Sequence, residues 1–204
     1  MWSKRLCDVD RNELGKRLRK MAARTRRHAG FFTGGGKSNA ELAVAEELLK
    51  GISGEPGGPF RNLRAVAPRN DPPDCEAEDH LGRRIGIEVC ELVDQETVAD
   101  GQRGKDPISI EWDRRELVGR LTGIVRRKDT AASSPGGAYA EYLLVVHTDE
   151  PELHIEALES HLDGFELPAT QQITRVYMLV SFDPRTRSYP WLRIPIVAGQ
   201  KTSS

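Results

Sequence analysis

The chain contains little cysteine, and its few cysteines do not form a recognisable framework. Cys7, Cys75 and Cys90 are well separated and include no CxxC pair. Zinc ribbons need closely spaced thiolates, and small disulfide-stapled domains need an even, denser set of cysteines. The sequence therefore argues against both classes, and it fits a protein of the reducing cytoplasm.

Long apolar runs are also missing. No stretch approaches the ~18 consecutive apolar residues that indicate a membrane-spanning helix. The basic residues near the N-terminus are not followed by the apolar segment that a secretory signal contains. We therefore expect a cytoplasmic protein without a membrane partner. Its 204 residues are enough for one good-sized hydrophobic core.

The chain has no overall excess of one charge, but it has a local one. The net charge is −1, whereas residues 1–27 carry ten Lys or Arg against three acids. Apolar spacing predicts an amphipathic basic helix over residues 10–28. Such a helix on an otherwise acidic chain is typical of nucleic-acid binders, because cations displace counterions from phosphates. A solvated helix face is the alternative. The residues expected to contact nucleic acid are Lys16, Arg17, Lys20, Arg24 and Arg27.

Hydrophobic periodicity predicts a single α/β domain over residues 34–204, preceded by the basic helix and a hinge over residues 1–33. Helices are expected near 39–50, 110–128 and from Asp149 onward, and strands near 62–67, 74–78, 84–93, 139–148, 173–182 and 189–197. The apolar run YLLVV in the fourth strand is typical of a central strand covered on both faces. This order predicts a mixed sheet between helices.

The segment GGGKS at 34–38 resembles a phosphate-binding loop only superficially. A Walker A loop needs a further glycine at position 31, which is Phe31, and a buried strand leading into it. We expect a glycine hinge followed by a helix start instead. Ser38 and Glu41 have the spacing of a capping box at that start.

The hairpin predicted over residues 74–93 carries acids on one face. With a turn near residue 81, Asp74 is expected opposite Glu88, and Glu76 opposite Gly86, whose missing side chain would leave room. A carboxylate on a covered sheet face is costly unless something compensates its charge. Mg²⁺ can do so with one or two carboxylates, because it keeps several waters. The pattern therefore predicts a divalent-metal site.

Pro73-Asp74, separated by thirteen intervening residues from Glu88 in GIEVCE, resembles the PD-(D/E)XK nuclease superfamily. The resemblance covers most of the chain and implies a restriction-endonuclease-like αβββαβ core with a mixed sheet flanked by helices. It also implies that Asp74 and Glu88 hold Mg²⁺ or Mn²⁺. An acid on the preceding helix often assists in this superfamily, and Glu41 matches that position.

The chain departs from the family pattern at the motif lysine, where it has Cys90. A thiol cannot offer positive charge to a transition state. Some members of the superfamily carry the basic residue on the following helix, and Lys128 continues the predicted core-facing stripe of that helix. A lysine near a helix C-terminus also suits the helix dipole, which is the structural alternative. Lys105, in the polar loop after the strand, is a weaker candidate.

Two functions remain open from the sequence. The first is Mg²⁺-dependent phosphodiester hydrolysis on nucleic acid, with DNA as the expected partner and with Asp74, Glu88 and Lys128 as catalytic residues. The second is a catalytically silent nuclease fold that binds nucleic acid or another protein. The resemblance implies a homodimer as one candidate assembly, although the sequence contains no recognisable stripe of residues for dimerisation. Whether the chain is an enzyme is left open by Cys90.

Other polar residues receive structural interpretations. Glu76, Glu78 and Glu91 are expected to be surface acids, although Glu76 shares the face of Asp74. His147 is expected to be a core or capping histidine. We expect Cys90 to be a buried structural thiol and Trp112 to anchor a helix end in the core.

Overall fold

The computed structural model describes residues 37–67, 70, 72–93, 112–132, 137–150 and 152–198. The basic helix predicted over residues 10–28 lies outside these ranges, together with the nucleic-acid contacts assigned to it, and so does Lys105. Within the described ranges no helix is both long and apolar enough to span a bilayer.

The described chain forms three helices and six strands in one sheet. The helices are α1 (Lys37–Gly51), α2 (Arg114–Ala131) and α3 (Ile155–Leu162); the strands are β1 (Arg61–Ala65), β2 (Cys75–Glu78), β3 (Arg84–Glu91), β4 (Glu141–Thr148), β5 (Arg175–Val180) and β6 (Trp191–Ile194). The strands lie in the sheet in chain order. Within the described ranges every predicted helix and strand occurs, with ends that differ by a few residues.

An antiparallel meander forms the first half of the sheet. β1 pairs antiparallel with β2, and β2 with β3. The tight turn between β2 and β3 is held by Asp79, whose Oδ1 accepts hydrogen bonds from the amides of Leu81 (2.9 Å) and Arg83 (2.8 Å). Gly82 has a φ of +75°, a conformation that glycine adopts without strain. These residues fix the hairpin register.

Helical crossovers build the second half. α2 connects β3 to the parallel β4, and α3 connects β4 to the parallel β5; β6 then pairs antiparallel with β5. β4 is buried along almost its entire length, as its continuous apolar run predicts. The prediction of an α/β fold with a mixed sheet flanked by helices is confirmed.

Two hydrophobic cores lie on opposite faces of this sheet. On one face, Val44, Ala45 and Leu48 of α1 pack against alternate residues of the strands, including Ile85 and Ile87. On the other face, α2 and α3 pack against the intervening residues, including Leu144 and Val146. Successive strand side chains point to opposite faces, so the buried apolar residues of the strands alternate between the two cores.

Two predicted helix starts are wrong. α1 begins at Lys37, so Ser38 lies in its first turn instead of preceding it. α3 begins at Ile155, and its N-cap is His154, which accepts a hydrogen bond from the amide of Ala157 at 3.2 Å. Asp149 is therefore not the N-cap of α3. The sequence pattern Asp-Glu-Pro-Glu satisfied the capping rule but lay too far from the apolar residues Leu158 and Leu162 that fix the helix.

Candidate active site

The β2–β3 ladder sets the positions of the two motif carboxylates. Cys75 lies opposite Ile87, and Glu76 opposite Gly86. One further step along this register puts Asp74 opposite Glu88. Cys75 and Ile87 belong to the core on the α1 side, so Asp74 and Glu88 lie on the face of α2. The predicted pairing of Glu76 with Gly86 is confirmed. Strand alternation puts Asp74 and Glu88 on one face, and we call these two acids the carboxylate pair.

Asp74 is fixed by the backbone of the neighbouring strand. It is only 8% exposed, and its Oδ2 accepts a hydrogen bond from the amide of Val89 at 2.8 Å. The β2–β3 ladder ends at Cys75, so the carboxylate of Asp74 takes the place of the next ladder acceptor. The carbonyl of Asp74 also accepts from the amide of Val66 in the preceding segment at 2.8 Å. Asp74 is therefore held both through its side chain and through its main chain.

Glu88 is buried and faces a lysine of α2. The residue is 4% exposed, and its Oε1 accepts a hydrogen bond from Nζ of Lys128 at 2.5 Å. The hydroxyl of Tyr142 lies 3.5 Å from Oε2. α2 presents Leu121, Ile124 and Val125 to the sheet, and Lys128 follows on the same stripe one turn later.

The charge of Glu88 controls the protonation of Lys128. Burial lowers the pKa of the Lys128 ammonium, but the hydrogen bond and the charge of Glu88 outweigh burial and raise that pKa above its ordinary value. The charge of Asp74 acts in the same direction. Lys128 is therefore a full positive charge beside the carboxylate pair, as the helical spacing predicted.

The cysteine at the motif lysine position is chemically quiet. Cys90 is half-buried, and burial raises the pKa of its thiol against the opposing charges of Lys128 and Arg127. A neutral thiol is a poor nucleophile and carries no positive charge. Cys90 is thus a structural residue, and the positive charge of the site comes from α2.

Glu41 lies on α1, close enough for its charge to act on the neighbouring thiol of Cys75. Burial is the largest cause that raises the pKa of the Cys75 thiol to about 12, and the charges of Asp74, Glu41 and Glu88 contribute to that value. The ranges that the structure describes nevertheless contain no group of three or more His, Cys, Asp or Glu placed to hold a metal ion. The third-ligand role of Glu41 stays a prediction.

The donor set of the carboxylate pair suits a hard cation. Two carboxylates on adjacent strands are ligands that Mg²⁺ prefers, and Mg²⁺ completes its shell with waters and substrate oxygens. The site also holds a cation already, because the Lys128 ammonium contacts Glu88. The chemistry of these donors fits Mg²⁺ or Mn²⁺, which Asp74 and Glu88 would hold, and metal binding itself stays a prediction.

Glu76 is not the surface acid that the sequence suggested. It is buried and accepts hydrogen bonds from Arg64 (2.8 Å), from Arg84 (2.5 Å) and from the hydroxyl of Tyr139. Arg84 also stacks on the ring of Tyr139, with its guanidinium carbon 4.5 Å from the ring centre. We call Glu76, Arg64, Arg84 and Tyr139 the Glu76 cluster. Both oxygens of Glu76 are engaged, so it is a structural acid and not a ligand.

The missing side chain of Gly86 leaves room for tyrosine rings beside the Glu76 cluster and not for ligands of the carboxylate pair. A Cβ at position 86 would lie 3.0 Å from Cδ2 of Tyr142 and 3.1 Å from Cδ2 of Tyr139. The room predicted beside the acids is therefore occupied by two tyrosine rings, which pack edge to face at 5.9 Å. Sequence reasoning missed both tyrosines, since neither belongs to the acidic pattern. The available signal in the sequence was the segment YAEY at 139–142, which leads into a buried strand.

The remaining interpretations mostly hold. His147 is buried, and burial lowers its pKa to about 4, so it is a neutral core histidine. Trp112 is buried at the start of α2, as expected for an anchor. Glu78 is half-buried and accepts a hydrogen bond from Asn62 at 2.8 Å, whereas Glu91 is exposed.

Comparisons with protein-family models, with curated proteins and with solved structures found no match for this chain. The site must therefore be understood from its own residues. Those residues are the carboxylate pair, the ammonium of Lys128 and the adjoining Glu76 cluster.

Proposed function

We propose that this protein is a metal-dependent nuclease of the PD-(D/E)XK type, which hydrolyses phosphodiester bonds in nucleic acid, with DNA as the expected substrate. One observation carries the proposal: two buried carboxylates, Asp74 directly before β2 and Glu88 in β3, lie on the face that also presents the Lys128 ammonium, 2.5 Å from Glu88. This arrangement suits phosphoryl transfer, because that reaction needs a bound metal ion and positive charge near the phosphate. Two acids could bind the metal ion, and the lysine could supply the positive charge.

The topology supports the same proposal. The order α1, β1, β2, β3, α2, β4 consists of a helix, an antiparallel meander, a crossover helix and a strand parallel to the last strand of the meander. We propose that this order corresponds to the αβββαβ core that the resemblance implies. In this proposal Asp74, directly before β2, and Glu88, in β3, are the two motif acids.

Each residue of the site has a definite task in this proposal. Asp74, oriented by the amide of Val89, and Glu88 hold Mg²⁺ or Mn²⁺. When bound, such an ion lowers the pKa of a coordinated water and neutralises charge on the phosphate. Lys128 supplies the positive charge that Cys90 cannot, and its partly exposed ammonium can reach a phosphate oxygen. The core on the α1 side holds β2 and β3 in register, which keeps the two carboxylates together.

A second function is favoured by one specific contact. The ion pair between Lys128 and Glu88 compensates the buried charge of Glu88 without any metal. A nuclease fold that lost its activity would keep this pair for stability and act as a nucleic-acid-binding or protein-interaction module. The metal requirement of the carboxylate pair separates the two functions.

The test measures Mn²⁺ binding and plasmid cleavage on the full chain. Asp74→Asn and Glu88→Gln keep the shape of each side chain but remove its charge, and we expect both to abolish Mn²⁺ binding and cleavage. Glu78→Gln is the matched control, because Glu78 lies on the same strand and bonds Asn62 at the surface. A wild-type chain that neither binds Mn²⁺ nor cleaves DNA would favour the silent module.

The nucleic-acid partner has its own test. Deleting residues 1–28 removes Lys16, Arg17, Lys20, Arg24 and Arg27, and we expect it to weaken DNA binding. The dependence of the binding constant on salt should flatten, because each lost phosphate contact lowers the slope by about one. An unchanged salt slope would count against a phosphate-binding role of this segment.

A further inference from the structure

We propose that Lys128 and a divalent cation compete for the carboxylate of Glu88. In the metal-free protein the Lys128 ammonium acts as a place-holder, and metal binding releases it. The inference rests on the proposed function, because it assumes that the carboxylate pair is the metal site. It adds that the lysine and the metal cannot occupy Glu88 together.

The buried charge of Glu88 is balanced by one ammonium group. Its side chain is 5% exposed, and a buried carboxylate needs a positive partner nearby. Lys128 provides that partner at Oε1, at 2.5 Å. A divalent ion bound to the same carboxylate would place two more positive charges against the ammonium in a poorly solvated site. Repulsion between like charges is strong there, so one cation must leave.

Of the three charged side chains, that of Lys128 has the most freedom to move. Asp74 is tied to the amide of Val89, and Glu88 lies in the middle of a buried strand. The side chain of Lys128 is 31% exposed and lies near the C-terminal end of α2. Its four-carbon stem lets the ammonium swing into water while the helix stays in place. The carboxylates therefore stay, and the lysine moves.

Lys128 therefore has one role in the metal-free protein and another in the metal-bound protein. A lysine bound to Glu88 cannot contact a substrate phosphate, whereas a displaced lysine can. Metal binding would thus free the positive charge at the moment when the site becomes competent. Without metal the same ammonium keeps Glu88 compensated and the hairpin stable.

The first experiment compares Mn²⁺ affinity, read from the electron paramagnetic resonance signal of the free ion. Lys128→Met removes the competitor and keeps a similar stem, and we expect it to tighten Mn²⁺ binding by about tenfold or more. Arg127→Met is the matched control: it removes an exposed charge next to Lys128, and its expected change is under about threefold. Binding by Lys128→Met that is equal to or weaker than wild type would overturn the competition.

The second experiment uses the unmodified protein and so does not depend on a variant that folds. An amine-reactive reagent is added with and without saturating Mg²⁺, and the modified lysines are identified by mass spectrometry. We expect modification of Lys128 to rise at least threefold with Mg²⁺. Lys50, an exposed residue paired with Glu46 and Glu47, serves as the reference and should not change. An unchanged or reduced rate at Lys128 would contradict the inference.

The outcomes separate this inference from the function on which it rests. If wild type binds Mn²⁺ and Lys128→Met binds it no more tightly, the competition is wrong and the metal site stands. If neither wild type nor Lys128→Met binds Mn²⁺, both the competition and the metal site are wrong.

Discussion

Two buried acids on the same face of the hairpin, Glu76 and Glu88, are compensated in different ways. Glu76 is surrounded by two guanidinium groups and a phenol, of which the guanidinium of Arg84 also stacks on Tyr139 and bonds the carbonyl of Gly137. Glu88 contacts the ammonium of Lys128 and, more distantly, the hydroxyl of Tyr142. The two acids are buried to a similar extent, but the partners of Glu76 are held more rigidly than the partner of Glu88.

The chemistry of the partner group separates a structural acid from one that can exchange its partner. Guanidinium groups form fixed, planar hydrogen-bond arrays, whereas an ammonium is a point charge on a flexible stem. The Glu76 cluster therefore locks β1, β2 and β3 together. The pairing of Glu88 can be exchanged for another cation. Substitution of Glu76 should chiefly lower the stability of the fold, whereas substitution of Glu88 should chiefly lower metal binding.

The largest effect is expected for Glu76→Ala. The change removes two charge-assisted hydrogen bonds and a third from Tyr139, and we expect a loss of roughly 3 kcal/mol in the free energy of unfolding. Urea denaturation measures it. Glu78→Ala is the control, with an expected loss under about 1 kcal/mol, because it breaks one surface hydrogen bond to Asn62. Equal losses at the two positions would contradict a structural role for the Glu76 cluster.

A smaller effect is expected for Lys128→Met in the absence of metal. Glu88 then stays buried without its ammonium, and we expect a loss of about 2 kcal/mol, since Lys128 itself is partly exposed. Adding Glu88→Gln to this variant should recover most of the loss, because it removes the buried charge. Saturating Mn²⁺ should also recover it. A double variant as unstable as Lys128→Met would show that the charge of Glu88 is not the cause.

The sequence was informative where one local rule decided the outcome. Strand alternation and a short turn fixed the pairing of Glu76 with Gly86, and helical spacing brought Lys128 to the sheet. The strand pairing depends on a single hairpin, and the position of Lys128 depends on residues within two turns of the same helix. The α/β architecture followed from the same periodicities.

The sequence failed where long-range contacts decided. Glu76 was expected at the surface because its partners Arg64 and Tyr139 are 12 and 63 residues away, and no local pattern links them. Gly86 was read as space for ligands because Tyr142, on the next strand, could not be placed over it. The start of α3 was misplaced because packing of Leu158 and Leu162, not the acidic capping pattern, sets its position.

Gly86→Ala should disturb the Glu76 cluster more than the carboxylate pair. The added methyl group would press on both tyrosine rings, and the ring of Tyr142 is held in the α2-side core. We expect a loss of about 1 kcal/mol in the free energy of unfolding, with Mn²⁺ affinity unchanged. Gly119→Ala is the control: it lies within α2 with open space around it, so it should stabilise by up to about 1 kcal/mol. A loss at both positions would mean that crowding over Gly86 is not responsible.

The smallest effect concerns the pH dependence of stability. Burial alone would raise the pKa of Glu76, but hydrogen bonds from Tyr139, Arg84 and Arg64 outweigh burial and lower that pKa below its ordinary value. The unfolded chain then binds more protons at this residue than the folded chain does. The stabilisation is therefore present above roughly pH 4.3, the ordinary glutamate pKa, and is lost as the pH falls toward the lowered folded value. Glu76→Gln cannot titrate, so its unfolding free energy should fall less steeply than that of wild type on acidification from pH 5 to 3. Parallel curves for the two proteins would mean that the Glu76 cluster holds no pKa-linked stability, and the contrast with Glu88 would then rest on packing alone.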